Sequence, residues 1–188
     1  MKSLPQSNAT PATQQAASVL TIAPRSLATC LPSVLNKELQ AVRSVTDVLK
    51  VAGDYPTLGK LKATNGSEKV EALIKAYLLQ LTELVNIARP LNATKIDAIA
   101  ERVVSKYAVL TVADINFVFN AAINGDYGSF YESLDVPKVM TWFATYFDER
   151  CNTAAEISAN EGTNFKGADY SAKYAKKLLD KMEEKSKR

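Results

Sequence analysis

From residue 34 to residue 157 the apolar residues return every three or four positions, interrupted by Gly, Pro and short polar stretches. That period matches the 3.6-residue turn of an α-helix rather than the two-residue alternation of a half-buried strand. The few β-branched stretches lie inside helical patterns. The sequence therefore predicts an all-α protein, a single helical bundle of about five helices with short connections that favour antiparallel neighbours.

The first predicted helix runs from 34 to about 51. Leu35, Leu39, Val42, Val45, Val48 and Leu49 share its face, Ser33 stands as N-cap and Gly53 ends it. Residues 54–66 hold a Pro and two glycines and read as a loop that packs loosely through Tyr55, Leu58 and Leu61. A second helix starts behind Ser67, carries Val70, Leu73, Ile74, Tyr77, Leu78 and Leu81, and stops at Arg89-Pro90. Thr94 with Asp97 forms a capping pattern for a third, which ends near Tyr107. Thr111 with Asp114 repeats that pattern for a fourth, closed by Asn124-Gly125 as a left-handed stop. Asp135 and Pro137 open the fifth, which turns Val139, Met140, Phe143 and Phe147 inward and runs to about Ala159.

Residues 1–25 are rich in Ser, Thr, Ala, Gln and Pro, nearly uncharged and aperiodic. They hold too little apolar surface to offset the entropy of ordering, which predicts a disordered tail. Residues 160–167 break the helical period, and 168 to about 185 reads as a separate helix with Tyr170, Tyr174, Leu178 and Met182 on one thin face. The expected organisation is a tail at 1–25, a helical core at 26–160 and a basic C-terminal tail at 161–188. Charge follows the same division. The net charge of +3 splits into +4 for residues 166–188, with eight Lys or Arg against four acids, and −1 for the rest. An anionic partner is expected at the C-terminal end, not on the core.

The chain contains no His, which removes the commonest general base, the Ser-His and Cys-His activation schemes and the commonest metal ligand. Cys30 and Cys151 lack zinc-site spacing, and no phosphate-cradling or dinucleotide glycine string occurs. No cofactor and no metal are expected. Asp114, Asp126, Glu132 and Asp135 lie in one stretch, yet Asp114 and Asp135 are accounted for as helix-start residues, and the adjacent Asp148 and Glu149 do not share a helix face. The expectation is a protein that is not an enzyme. No segment nears the roughly 18 consecutive apolar residues of a membrane helix, and the basic-then-apolar order of a secretion leader is missing. A cytoplasmic location, reduced thiols and no membrane partner follow as expectations.

Two stretches carry binding readings. Residues 124–135 place two glycines among Tyr127, Phe130 and Tyr131. They read either as a recognition loop for a protein partner or as a compact turn whose aromatics cover the bundle end. Trp142, beside Phe143, Tyr146 and Phe147, reads likewise as an exposed aromatic patch or as core. Lys173, Lys176, Lys177 and Lys181, interleaved with Tyr170 and Tyr174, read as a nucleic-acid-contacting set or as a solvated terminus.

The strings Thr111-Val-Ala-Asp-Ile115, Asn124-Gly-Asp-Tyr-Gly128, Phe130-Tyr131-Glu132-Ser133-Leu134, Pro137-Lys-Val-Met-Thr-Trp-Phe143 and Tyr146-Phe-Asp-Glu-Arg150 form a distinctive run. Through them the chain, over about residues 67–156, resembles an uncharacterised family of small proteins of Bacteroidetes bacteria, their phages and their conjugative elements. The family brings no established activity and no functional residues. The resemblance implies a genomic setting in which adapters, replication accessories and regulators are common. The layout, a helical body with a basic end, is also similar to that of small helicase-loader proteins. The expected function is a non-enzymatic helical binding or adapter protein, associated with replication or regulation, whose core docks a protein partner. Its alternatives are a direct nucleic-acid binder acting through the basic tail, and a self-assembling structural component.

Overall fold

Local capping signals divide the chain more finely than its apolar period does. A computed structural model describes residues 25–128 and 133–186, with side chains described through residue 161. Among the described residues there are seven α-helices and no strand. They are α1 (Pro32–Glu38), α2 (Val45–Val51), α3 (Leu58–Asn65), α4 (Ser67–Leu84), α5 (Ala93–Lys106), α6 (Val112–Asn124) and α7 (Val136–Ser186). The all-α class is the one the period predicts.

The first predicted helix is two. Ser44 caps α2 by accepting a hydrogen bond from the Asp47 backbone N–H, and the Asp47 carboxylate accepts from the Ser44 hydroxyl at 2.8 Å. This reciprocal pair, missed in the apolar pattern, starts a new helix inside an otherwise continuous stripe. The predicted loop at 54–66 contains α3, with Thr57 as its cap. Its Leu58 is fully buried and its Leu61 is nearly so, a tighter fit than loose loop packing. Gly59 explains the closeness: its N–H donates to the Ala108 carbonyl at 2.8 Å, and a Cβ there would stand 3.1 Å from that oxygen. Leu58 N–H to Leu110 O and Val112 N–H to Pro56 O complete the seam between α3 and the turn joining α5 to α6.

Helix α4 starts at the predicted place but ends at Leu84, short of Arg89-Pro90. The cap of α5 is Asn92, which accepts from the Lys95 N–H, not Thr94. Asp97 instead pairs with Lys75 of α4 at 2.7 Å. Helix α6 has the predicted Thr111/Asp114 capping box and a left-handed Gly125 at its end, with φ of 87°. Asp135 caps the start of α7, accepting from the Lys138 N–H at 3.0 Å.

The predicted break at 160–167 does not occur, and α7 is one helix of 51 residues. Gly162 and Gly167 each cost only about 1 kcal/mol relative to Ala in a helix interior, and no Pro follows Pro137 to interrupt the ladder. The predicted disordered tail lies outside the described residues except for Arg25. That side chain reaches Glu38 at 2.7 Å and covers the Tyr55 ring at 4.2 Å.

The core is organised by a series of aromatic rings. Tyr77 of α4 stacks on Phe119 of α6, Phe119 meets Phe143 of α7 edge-on, and Phe143 stacks on Tyr107 at the end of α5. Four helices therefore converge on one set of contacts, and each ring adds a large buried area to the apolar residues around it. All four rings are buried.

Candidate functional site

At the start of α6 a carboxylate is sealed inside the protein. Asp114 has no exposed surface and receives four donors. Its Oδ2 accepts from the Thr111 N–H at 2.6 Å and the Thr111 hydroxyl at 2.7 Å. Its Oδ1 accepts from the Tyr146 hydroxyl at 2.5 Å and Arg150 Nε at 2.7 Å. A carboxylate offers about four lone-pair positions, so Asp114 has none left for a ligand or a proton in transit. Burial raises the Tyr146 pKa, and the adjacent Asp114 charge raises it further. Burial opposes the Arg150 charge, but the hydrogen bond and charge of Asp114 outweigh it and raise that pKa as well. The arrangement is a clamp that ties α7 to the first turn of α6.

The other carboxylates of this stretch do not join Asp114. Asp126 and Asp135 are exposed, Asp135 is spent as a cap, and Glu132 lies outside the described residues. Among the described residues no group of three His, Cys, Asp or Glu side chains is placed to hold one metal ion. Cys30 is buried, Cys151 is exposed, and both are free thiols.

The aromatic residues expected to meet a partner divide. Trp142 is 3% exposed and stacks on Tyr127, with ring centroids 5.9 Å apart and planes 15° from parallel. Its indole is part of the core, which corrects the reading of Trp142 as an exposed patch. Tyr127 is half-buried by the same contact, and burial, then the Glu149 and Asp126 charges, raises its pKa. Phe130 and Tyr131 lie outside the described residues. Among the described residues, the large apolar side chains that are exposed are Leu31, Leu79, Leu84 and Val109. Leu79 and Leu84 stand about 140° apart round α4, so they form no common stripe.

A cleft of about 340 Å³ opens between the end of α1 and the outer face of α6. Asn36 and Gln40 line one side, Asn116, Asn120 and Asn124 the other, and Arg43 stands at its edge. Asn116 is buried, Asn120 intermediate and Asn124 exposed, so the row descends from mouth to floor. The Asn120 amide donates to Asn36 Oδ1 at 3.0 Å across the cleft. Asn116 Oδ1 lies 3.3 Å from the Tyr77 hydroxyl, which also faces the Cys30 carbonyl at 3.2 Å. The row was readable in principle: three Asn at intervals of four, on a helix otherwise rich in apolar residues, is a costly choice for a helix former.

Lys173, Lys176, Lys177 and Lys181 all fall on α7, and their side chains lie outside the described residues. Through Arg150 the helix is held by the core, and no residue from 151 to 161 is buried. No helix among the described residues is long and apolar enough to cross a membrane. The chain matches no protein-family model, no curated protein and no solved structure.

Proposed function

We propose that the protein is a non-enzymatic binding protein in which the helical core serves as a rigid mount and the far part of α7 as a contact arm for nucleic acid. The observation that carries this reading is the continuity of α7. The helix is about 75 Å long by its rise per residue, and its last 21 residues (166–186) belong to the stretch that concentrates the positive charge. Lys173, Lys177 and Lys181 recur every four residues, the spacing of neighbours along a helix. The Asp114 clamp supports the same reading, because it spends a sealed carboxylate on holding α7 in place. A role in replication or regulation, in a phage or mobile-element setting, is consistent with such an arm, and the host cytoplasm is where it would meet its partner.

The test is fluorescence anisotropy with labelled single- and double-stranded DNA over a salt series. The full chain is compared with a variant carrying Lys173→Gln, Lys176→Gln, Lys177→Gln and Lys181→Gln. The expected result is binding that weakens steeply with salt, and a log-log slope that falls by about 1 for each phosphate contact removed. Binding that ignores salt, or that the fourfold variant keeps in full, overturns the assignment.

A further inference from the structure

We infer that the carboxamide-lined cleft between α1 and α6 is a binding site for the main chain of an extended peptide segment, separate from the basic arm. A carboxamide presents an acceptor oxygen and two N–H donors without charge, and a peptide unit offers one N–H and one C=O to meet them. The row Asn116, Asn120, Asn124 repeats every four residues, about 6 Å along the helix axis. An extended chain repeats its same-side groups every two residues, about 6.7 Å. Successive carboxamides of α6 therefore meet successive same-side main-chain groups of a peptide laid along the helix.

The contacts already present orient the two inner amides. Asn120 donates one Nδ2 hydrogen to Asn36, and its Oδ1 accepts from no described group. The Oδ1 of Asn116 faces the Tyr77 hydroxyl, which leaves its NH2 as the donor. A peptide C=O at the floor and an N–H two residues on match that order. Gln40 and Asn36 face the row from the opposite wall. The cleft volume falls within the usual range of ligand sites, roughly 300–1,000 Å³. A nucleotide fits less well: Arg43 and Asp126 at the edge are opposite in sign, so no cation cluster awaits a phosphate. Phe117, the one aromatic lining the cleft among the described residues, already has its ring 5.6 Å from that of Tyr146.

The test uses the full chain labelled with 15N and follows the side-chain NH2 resonances of the asparagines. The probe is the blocked peptide acetyl-Ala-Ser-Ala-Ser-Ala-amide, with adenosine 5′-monophosphate as the rival probe. The peptide is expected to shift the Asn116 and Asn120 side-chain resonances with a dissociation constant in the millimolar range, and Asn120→Ala to weaken it about tenfold. Asn124→Ala, an exposed position that leaves the fold intact, is expected to weaken binding severalfold. Overturning results are unshifted asparagine side chains at millimolar peptide, shifts with the nucleotide but not the peptide, or undiminished binding in both variants. None of these outcomes bears on α7, whose lysines are tested by salt-dependent DNA binding.

Discussion

Helix α7 is two different objects joined without a break. Over residues 136–150 it contributes Val139, Trp142, Phe143 and Tyr146 to the core and ends that contact with Arg150 on the buried Asp114. From Cys151 to Glu161 no side chain is buried, and the remaining helix carries six of the eight basic residues of α7. The same backbone geometry thus packs side chains into the core over 136–150 and leaves those of 151–161 outside it. The difference lies in which side chains find partners, because hydrogen bonds within a helix stabilise each turn only marginally and tertiary packing supplies the rest.

The largest test of this contrast is Asp114→Ala. It leaves Arg150, the Tyr146 hydroxyl and the Thr111 N–H without their shared acceptor, and about 3–5 kcal/mol of unfolding free energy should be lost in urea titrations. A loss below about 1 kcal/mol would mean that the clamp does not hold α7.

Next comes Tyr146→Phe, expected to cost about 1–3 kcal/mol because one oxygen of a buried carboxylate loses a donor. It also has a pH signature. Burial and Asp114 keep the Tyr146 pKa above its unfolded value of about 10, so its stabilisation is complete below that pH and declines as pH rises beyond it. The native protein should lose stability above about pH 10 at up to roughly 1.4 kcal/mol per unit from this residue, and Tyr146→Phe should lose that component of the slope.

A smaller effect separates the two stretches directly. Gly162→Ala should favour local helix by about 1 kcal/mol, raising the helical circular-dichroism signal while leaving the urea midpoint of the core in place. Smallest of all is a chain ended after Glu161, whose core stability should match the full chain within about 0.5 kcal/mol. A cooperative loss of stability on that truncation would show that the far part of α7 packs on the core after all.

The features read correctly in advance were those written in local chemistry. Thr111 and Asp114 capped α6 as expected, Gly125 ended it, and Asp135 opened α7. Buried positions at helical spacing, among them Leu73, Tyr77, Val103 and Phe143, also followed the period. The errors arose where a local signal competed with the period or with a distant partner. The Ser44/Asp47 pair divided a continuous apolar stripe, and Thr57 started a helix in a segment whose Pro and Gly suggested a loop. The alternatives weighed for Trp142 were resolved by Tyr127, which stacks on it from the preceding turn.

The sequence by itself determined the all-α class, the starts of α4, α6 and α7, the charge asymmetry and the want of histidine chemistry, because each depends on residues close together along the chain. Only the tertiary structure decided that Asp114 is more than a cap, that Trp142 belongs to the core, and that three asparagines of α6 face two carboxamides of α1 and its exit turn. Those facts depend on contacts between residues 15 to 84 positions apart, such as Trp142 with Tyr127, Asp114 with Tyr146 and Asn36 with Asn120. No local pattern encodes such pairings, since they arise from how the helices pack and which polar groups that packing removes from water.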